Sequence, residues 1–296
     1  MTIKHLVISG GGPTLIQSLG AIQYLETHKF LNISNIETIY ATSAGAIIGI
    51  LLCLKFDWET LNDYIIKRPW KDVFIIKVEN IFESYKKKGL FDIKTIEKCF
   101  KPLFDAKDIP IDINLETFYK LTNIELHFFS FEINEYKLHD ISYLNYPNLS
   151  LMIAIHMTSA LPVLVSPVCI DNKCYIDGGL CANYPISYCI DSGKKIEEIF
   201  GIKNKYTKND DSIINSDSSI LQYLFNFLYK AVISIRTNYI IPEIKYEILS
   251  DSKHLTLDFL KEALYDIEVR KELLNSGIES AKLFLSNLED SVKELS

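Results

Sequence analysis

One stretch constrains the fold more than any other: Ile39-Tyr40-Ala41-Thr42-Ser43-Ala44-Gly45-Ala46, continued by the apolar run Ile47 to Leu54. It reads as the end of a strand, a tight turn with a serine at its tip, and a buried helix. Such a turn holds a hydroxyl at the top of a sheet, where it is placed to act as a nucleophile. Ala41, Ala44 and Gly45 leave room for the turn and for a carbonyl close to the backbone. The helix behind Ser43 aims its unpaired N–H groups at the turn, where they favour negative charge. A small-residue turn between a strand and a core helix has the same pattern, so two other stretches bear on the choice.

The first is Gly10-Gly11-Gly12-Pro13, between an expected strand His5–Ser9 and a helix over about Thr14–Thr27. Leu15, Ile16, Leu19, Ile22 and Leu25 keep helical spacing, and Pro13 suits a first helical turn because it has no N–H to leave unpaired. A dinucleotide loop would need a third glycine where Leu15 stands, and an acidic residue ending the next expected strand, Glu37–Tyr40. A phosphate loop would need a Lys-Ser/Thr pair, which is missing. An oxyanion loop fits if the first two strands pair in parallel, because Gly11 and Gly12 then converge on Ser43. A plain helix entry built of small residues also remains open.

The second is Asp177-Gly178-Gly179, delivered by an expected strand Lys173–Ile176. It is a carboxylate on an uncrowded turn, which is a capped turn at its simplest and a base for Ser43 at its most specific. Asn183 and Pro185 follow, with Asn183 either bracing the aspartate loop or capping a turn.

The rest of the chain alternates strands and helices. Helices are expected at Trp58–Ile66 with Asp57 as cap, at Ile93–Phe104 with Asp92 as cap, and at Leu149–Met157. Further helices are expected at Ser219–Ile235, Asp258–Arg270 and Gly277–Leu288. Strands are expected at Asn123–Phe131 with a partner at Tyr136–His139, at Val163–Val165 paired with Lys173–Ile176 around Asp171-Asn172, at Lys195–Phe200 and at Lys245–Leu249. Residues 203–219 read as a polar surface loop. Tyr85-Lys86-Lys87-Lys88-Gly89-Leu90-Phe91 reads as a solvated helix end with a glycine cap, or as a contact for an anionic lipid surface.

The 296 residues are 48% hydrophobic with a formal charge of −7, which suits a large core and opposes nucleic-acid backbones. No secretory signal is visible, and Ala44–Leu54 falls well short of the ~20 apolar residues a membrane span needs. The expectation is a cytoplasmic protein whose membrane contact is peripheral. The six cysteines lack a zinc spacing and are expected as reduced thiols, with a redox role open for those from Cys169 to Cys189.

A serine needs a base and oxyanion donors. Of the six histidines, His254 is placed for a Ser-Asp-His hydrolase with Asp177, and His156 reads as a core residue. A direct Ser43–Asp177 dyad accounts for more of the sequence. The ordered set of Gly10-Gly11-Gly12, Ala41-Thr42-Ser43-Ala44-Gly45, Ser159-Ala160-Leu161-Pro162 through Pro167, and Asp177-Gly178-Gly179 resembles the patatin-like phospholipase family over roughly His5 to Leu288. Leu273 to Ala281 resembles its last helical segment. Two positions depart: Ala41 replaces the first elbow glycine, and Thr14 stands where the family usually has Arg or Lys.

The resemblance implies a single α/β domain over 1–296, a three-layer sandwich with a central, mostly parallel sheet. A helical insertion is expected at about 55–110. It implies lipid acyl hydrolysis, with Ser43 as nucleophile, Asp177 as base, Gly10, Gly11 and Gly12 as the oxyanion hole, and Ala44, Gly45, Gly178, Gly179 and Asn183 in support. No cofactor or metal is implied. The substrate would be a lipid ester, met at a membrane or lipid-droplet surface. The alternative from another class is a catalytically weak or inactive lipid-binding protein of the same fold.

Overall fold

The computed structural model describes residues 2–75, 85–206, 213–236 and 242–294. The chain runs β1 (His5–Ile8), α1 (Leu15–Thr27), β2 (Thr38–Ala41), α2 (Ala44–Cys53), α3 (Trp58–Lys67), β3 (Gly89–Phe91), α4 (Ile93–Asp105), α5 (Leu115–Thr122), β4 (Glu125–Glu132) and β5 (Lys137–Ile141). It continues with α6 (Leu151–Ser159), β6 (Val163–Val165), β7 (Val168–Ile170), β8 (Lys173–Asp177), α7 (Ile186–Asp191), β9 (Ile199–Tyr206), α8 (Ile220–Arg236), β10 (Glu247–Ser252), α9 (Leu257–Tyr265) and α10 (Ile267–Glu294).

The main sheet has the order β10-β9-β1-β2-β4-β8-β7, with β5 also on β4. Strands β10, β9, β1, β2 and β4 are parallel, β5 and β8 run antiparallel to β4, and β7 pairs antiparallel with β8 and so returns to the common direction. This is the expected three-layer α/β fold. Side chains alternate across the sheet, as the strand period of two requires. Leu6, Ile8, Ile39, Ala41, Leu126 and Phe128 enter the larger core, beneath α1, α2, α6 and α10. Val7, Tyr40 and Phe129 enter the smaller core on the opposite face, covered by α7 and the segment before it. Helices α1 and α10 cross so closely that a Cβ on Gly20 would strike the Leu274 backbone, and one on Gly277 the Gln17 backbone.

Helices α1 to α3 lie where the spacing placed them, and Asp57 and Asp92 cap α3 and α4 by accepting from the amides of Thr60 (2.8 Å) and Lys94 (3.1 Å). Several boundaries differ from expectation. The Asp171-Asn172 turn joins β8 to β7, not to Val163–Val165, which instead pairs in parallel with β3. The region 55–110 therefore contributes a strand as well as helices. Residues 85–87 are helical and the turn out of them is made at Lys88, with φ 62°, so Gly89 opens the strand; a Cβ there would strike the Val165–Ser166 backbone. Residues 76–84 lie outside the described residues. Strand β9 begins at Ile199 and continues through Tyr206, taking in the first part of the expected polar loop, whose residues 207–212 also lie outside. The two last expected helices divide at Asp266, and Gly277 lies inside α10.

Cys169 and Cys174 are bonded to each other across the β7–β8 hairpin, at directly paired positions. The expectation of reduced thiols is corrected for this pair: a tight turn brings them face to face, which spacing alone does not reveal. Cys53, Cys99 and Cys189 carry no disulfide. Burial pushes the thiols of Cys53, Cys99 and Cys189 up to about 12, so they are poor nucleophiles.

Candidate active site

The parallel pairing of β1 and β2 puts Ile8 beside Ala41, so the loop after β1 and the turn after β2 emerge together. Ser43 occupies that turn with φ 55° and ψ −126°, a strained conformation for a side-chain-bearing residue. Its surroundings hold it there. The Ser43 amide donates to the Thr158 hydroxyl (3.0 Å), which donates to the Phe129 carbonyl (2.6 Å). The Thr42 hydroxyl donates to the Ala182 carbonyl (2.7 Å). Gly45 lies against the Ile8 and Ser9 carbonyls, where a Cβ would not fit, and Ala44 opens α2 in a buried position. Ala41 sits in ordinary strand backbone within β2, so this turn tolerates alanine in place of glycine.

The glycine loop wraps directly over the serine. A Cβ on Gly10 would come within 2.9 Å of the Ser43 Cβ, and Gly12 adopts φ +60°. Gly10 is fully engaged: its amide donates to the Asn183 carbonyl (3.0 Å), and its carbonyl accepts from the side-chain amides of Asn183 (3.1 Å) and Asn204 (3.0 Å). Asn183 thus braces the glycine loop and not the aspartate loop. Gly11 and Gly12 line the cavity.

Asp177 ends β8, 6% exposed, and its Oδ1 accepts from the Gly179 amide (2.7 Å). Gly178 follows at a point where its Cβ would strike the Phe129 backbone. Ser43, Asp177, Gly11 and Gly12 share one cavity of about 220 Å3, walled chiefly by Leu161, Pro162, Leu180, Phe225, Leu228 and Leu255. No histidine lines it. His254 stacks on Tyr206 at 5.0 Å, and His156 is buried with Nε2 at 2.8 Å from the Ser166 carbonyl. Burial holds the His156 pKa below its ordinary value.

A second layer went unread in the sequence. Thr14 is buried; its hydroxyl donates to the Gly11 carbonyl (3.1 Å) and accepts from Asn204 (2.9 Å). The Ser252 hydroxyl lies 3.1 Å from Asn204 Oδ1 and 3.0 Å from Gln17 Oε1, and Gln17 donates to the Asp251 carbonyl and to Ser276. The glycine loop therefore rests on a buried polar network from β9, β10, α1 and α10. Thr14 belongs to that network and not to the cavity wall. Its members are scattered along the chain, at positions 14, 17, 204, 252 and 276, so no local sequence signal marks them.

The model of the patatin-like phospholipase family matches residues 6–190, which hold the glycine loop, the elbow and the aspartate turn. The chain belongs to the patatin-like phospholipase family. A protein of Invertebrate iridescent virus 6 named "Probable lipid hydrolase 463L" is 25% identical over 189 residues, covering 63% of this chain and 63% of the relative. The matched stretch thus spans under two thirds of that relative's length. "Uncharacterized protein R571" of Acanthamoeba polyphaga mimivirus is 21% identical over 284 residues, covering 95% of this chain and 93% of the other. Among solved structures, VipD from Legionella pneumophila superposes with a TM-score of 0.52 at 15% identity, over 97% of this chain and 67% of VipD. At that identity the likeness is one of fold.

Proposed function

We propose that this patatin-like protein hydrolyses the carboxylic esters of lipids through Ser43 and Asp177. The observation that carries the reading is the meeting of a strained serine, a carboxylate and two glycines in one apolar-walled cavity. Family membership supports it, as does the name of the iridescent-virus relative.

In this reading Asp177 accepts the Ser43 proton as Oγ attacks the ester carbonyl carbon. The carbonyl oxygen takes the negative charge, and the Gly11 and Gly12 amides donate to it. The ester C–O bond then breaks. The leaving alkoxide recovers the proton from Asp177, and the acyl group remains on Ser43. Water repeats the sequence: it gives a proton to Asp177, attacks the acyl carbon, and releases the fatty acid and the serine. The Gly179 amide fixes the carboxylate throughout. Leucine, phenylalanine and proline walls exclude water and suit an acyl chain.

Reaction with a fluorophosphonate probe tests this. Native protein is expected to label, and Ser43→Ala and Asp177→Ala to lose labelling while keeping the native unfolding temperature. A folded native chain that stays unlabelled, with lipid vesicles present, would overturn catalysis and leave a lipid-binding role for the fold.

A further inference from the structure

Helix α8 turns its apolar stripe the wrong way. Ile220, Tyr223, Leu224, Phe227 and Leu228 follow the i, i+3, i+4, i+7, i+8 spacing that buries a helix in a core. Here they point outward, with exposures of 74%, 51%, 39%, 61% and 37%. The opposite side of the helix makes the inward contacts, with Phe225 buried beside Leu164 and Leu255. Ile213 and Ile214, just before the helix, are also exposed, at 75% and 39%. An apolar patch of this kind on a described surface marks a binding face.

We infer that the outward face of α8 is a docking surface for an anionic phospholipid bilayer, set at the mouth of the cavity. Its purpose rests on the lipid-ester reading, though its test does not. Continuity with the cavity favours a lipid occupant. Phe225, Leu228 and Tyr229 line the cavity, and Leu228 is also part of the exposed stripe. A lipid tail therefore passes from the docked surface to Ser43 along one helix without crossing water.

Charge favours the same partner. From Ile220 to Ala231 the sole charged residue is Lys230, which suits a helix lying in a lipid interface. The carboxylates nearby, Asp217 and Asp258, sit at the start of the helix. The basic run Lys86-Lys87-Lys88 is exposed beside Tyr85, itself 88% exposed. It leads into Gly89, the register partner of Val163, which directly follows the cavity wall Leu161-Pro162. Leu90 joins the same small core as Phe225 and Tyr229. The lysines thus lead into the strand paired next to the cavity wall, α8 forms another part of that wall, and Tyr85 and Tyr223 supply the amphipathic rings favoured at headgroup depth. Lys87 is partly committed to Asp92 at 3.0 Å, whereas Lys86 and Lys88 lie exposed on either side of it.

The test is flotation of the 296-residue chain with vesicles of phosphatidylcholine alone or mixed with phosphatidylserine. Native protein and Ser43→Ala are expected to float equally, and better with the anionic vesicles. The double variant Ile220→Asp/Phe227→Asp is expected to lose about tenfold or more of its partitioning, since two exposed apolar groups of the docking face are replaced by charges. It should hydrolyse a short, water-soluble ester at the native rate. Lys86→Ala/Lys87→Ala/Lys88→Ala is expected to lose only the phosphatidylserine enhancement. Phe227→Trp should show a blue-shifted emission on adding vesicles.

Undiminished flotation of the double variant, or a native chain that floats with neither vesicle, would overturn the inference. So would an unshifted Phe227→Trp emission. A native dimer that Ile220→Asp/Phe227→Asp converts to monomer would overturn it in favour of a second copy covering the face. Loss of ester hydrolysis with flotation intact would remove the catalytic reading and leave the docking surface standing.

Discussion

Asn204 sits in a strand between two lysines, and its neighbours read as a polar loop, yet its side chain holds the glycine loop in place. It donates to Gly10 and Thr14 and faces Ser252, all within the buried interior. Asn204→Ala is expected to cost about 1–3 kcal/mol of stability, because Gly10, Thr14 and Ser252 lose a buried partner. It should also slow fluorophosphonate labelling by about tenfold or more. Leu274→Ala, which also destabilises but lies away from the loop, should leave the labelling rate unchanged; equal slowing in both would show that the brace does not position the loop. The contrast with Ser43 explains what the sequence could disclose. Ser43, the glycine run and Asp177 each carry a local signature, because a sharp turn imposes small residues on its immediate neighbours. Asn204 and Thr158 act across large sequence separations and leave no local trace.

Elements were legible where one period ran unbroken. Helices α1, α2 and α8 and strands β2 and β4 lie within a few residues of their expected places. Short segments of like composition are less legible. Val163–Val165 and Val168–Ile170 are both short and β-branched, and only the tertiary partners, β3 and β8, separate them. The turn itself was readable: Asp171 and Asn172 both take positive φ, 49° and 64°, as a two-residue hairpin demands. Gly277 misled for another reason. It looked like a helix boundary, but it serves close packing of α10 on Gln17 of α1. Gly277→Ala is therefore expected to destabilise the protein by about 1–3 kcal/mol, although alanine is the better helix former. Thermal unfolding checks this; a raised unfolding temperature would mean that the helix crossing relaxes.

The molecule as a whole carries a pH-sensitive clamp on β4, at the residue paired with Tyr40 of β2. His127 is buried between Asp140 and Glu125, each at 2.8 Å, and stacks on Tyr40 at 4.2 Å. Burial opposes its charge, but the hydrogen bonds to Asp140 and Glu125 outweigh that and raise the pKa to about 9. A raised folded pKa adds stability that is complete below the unfolded value of about 6.5 and vanishes as pH climbs through about 9. The contribution is at most about 3 kcal/mol. Urea unfolding at pH 6 and pH 9.5 should show the native protein losing stability, and His127→Gln losing markedly less. Equal losses would mean that the imidazolium is not what the carboxylates hold.

The family match ends at residue 190, but the support of the glycine loop does not. Strand β1 lies in the middle of the sheet, flanked by β2 and by β9, and Asn204 follows Gly10 at a separation of 194 residues. During synthesis, Ser43 and Asp177 both leave the ribosome before β9, β10 and α10 exist. Until those arrive, the outer edge of β1 is unpaired and the loop above the serine has no floor. A growing chain of this protein is thus born with its serine and aspartate turns made and the cavity they share unfinished.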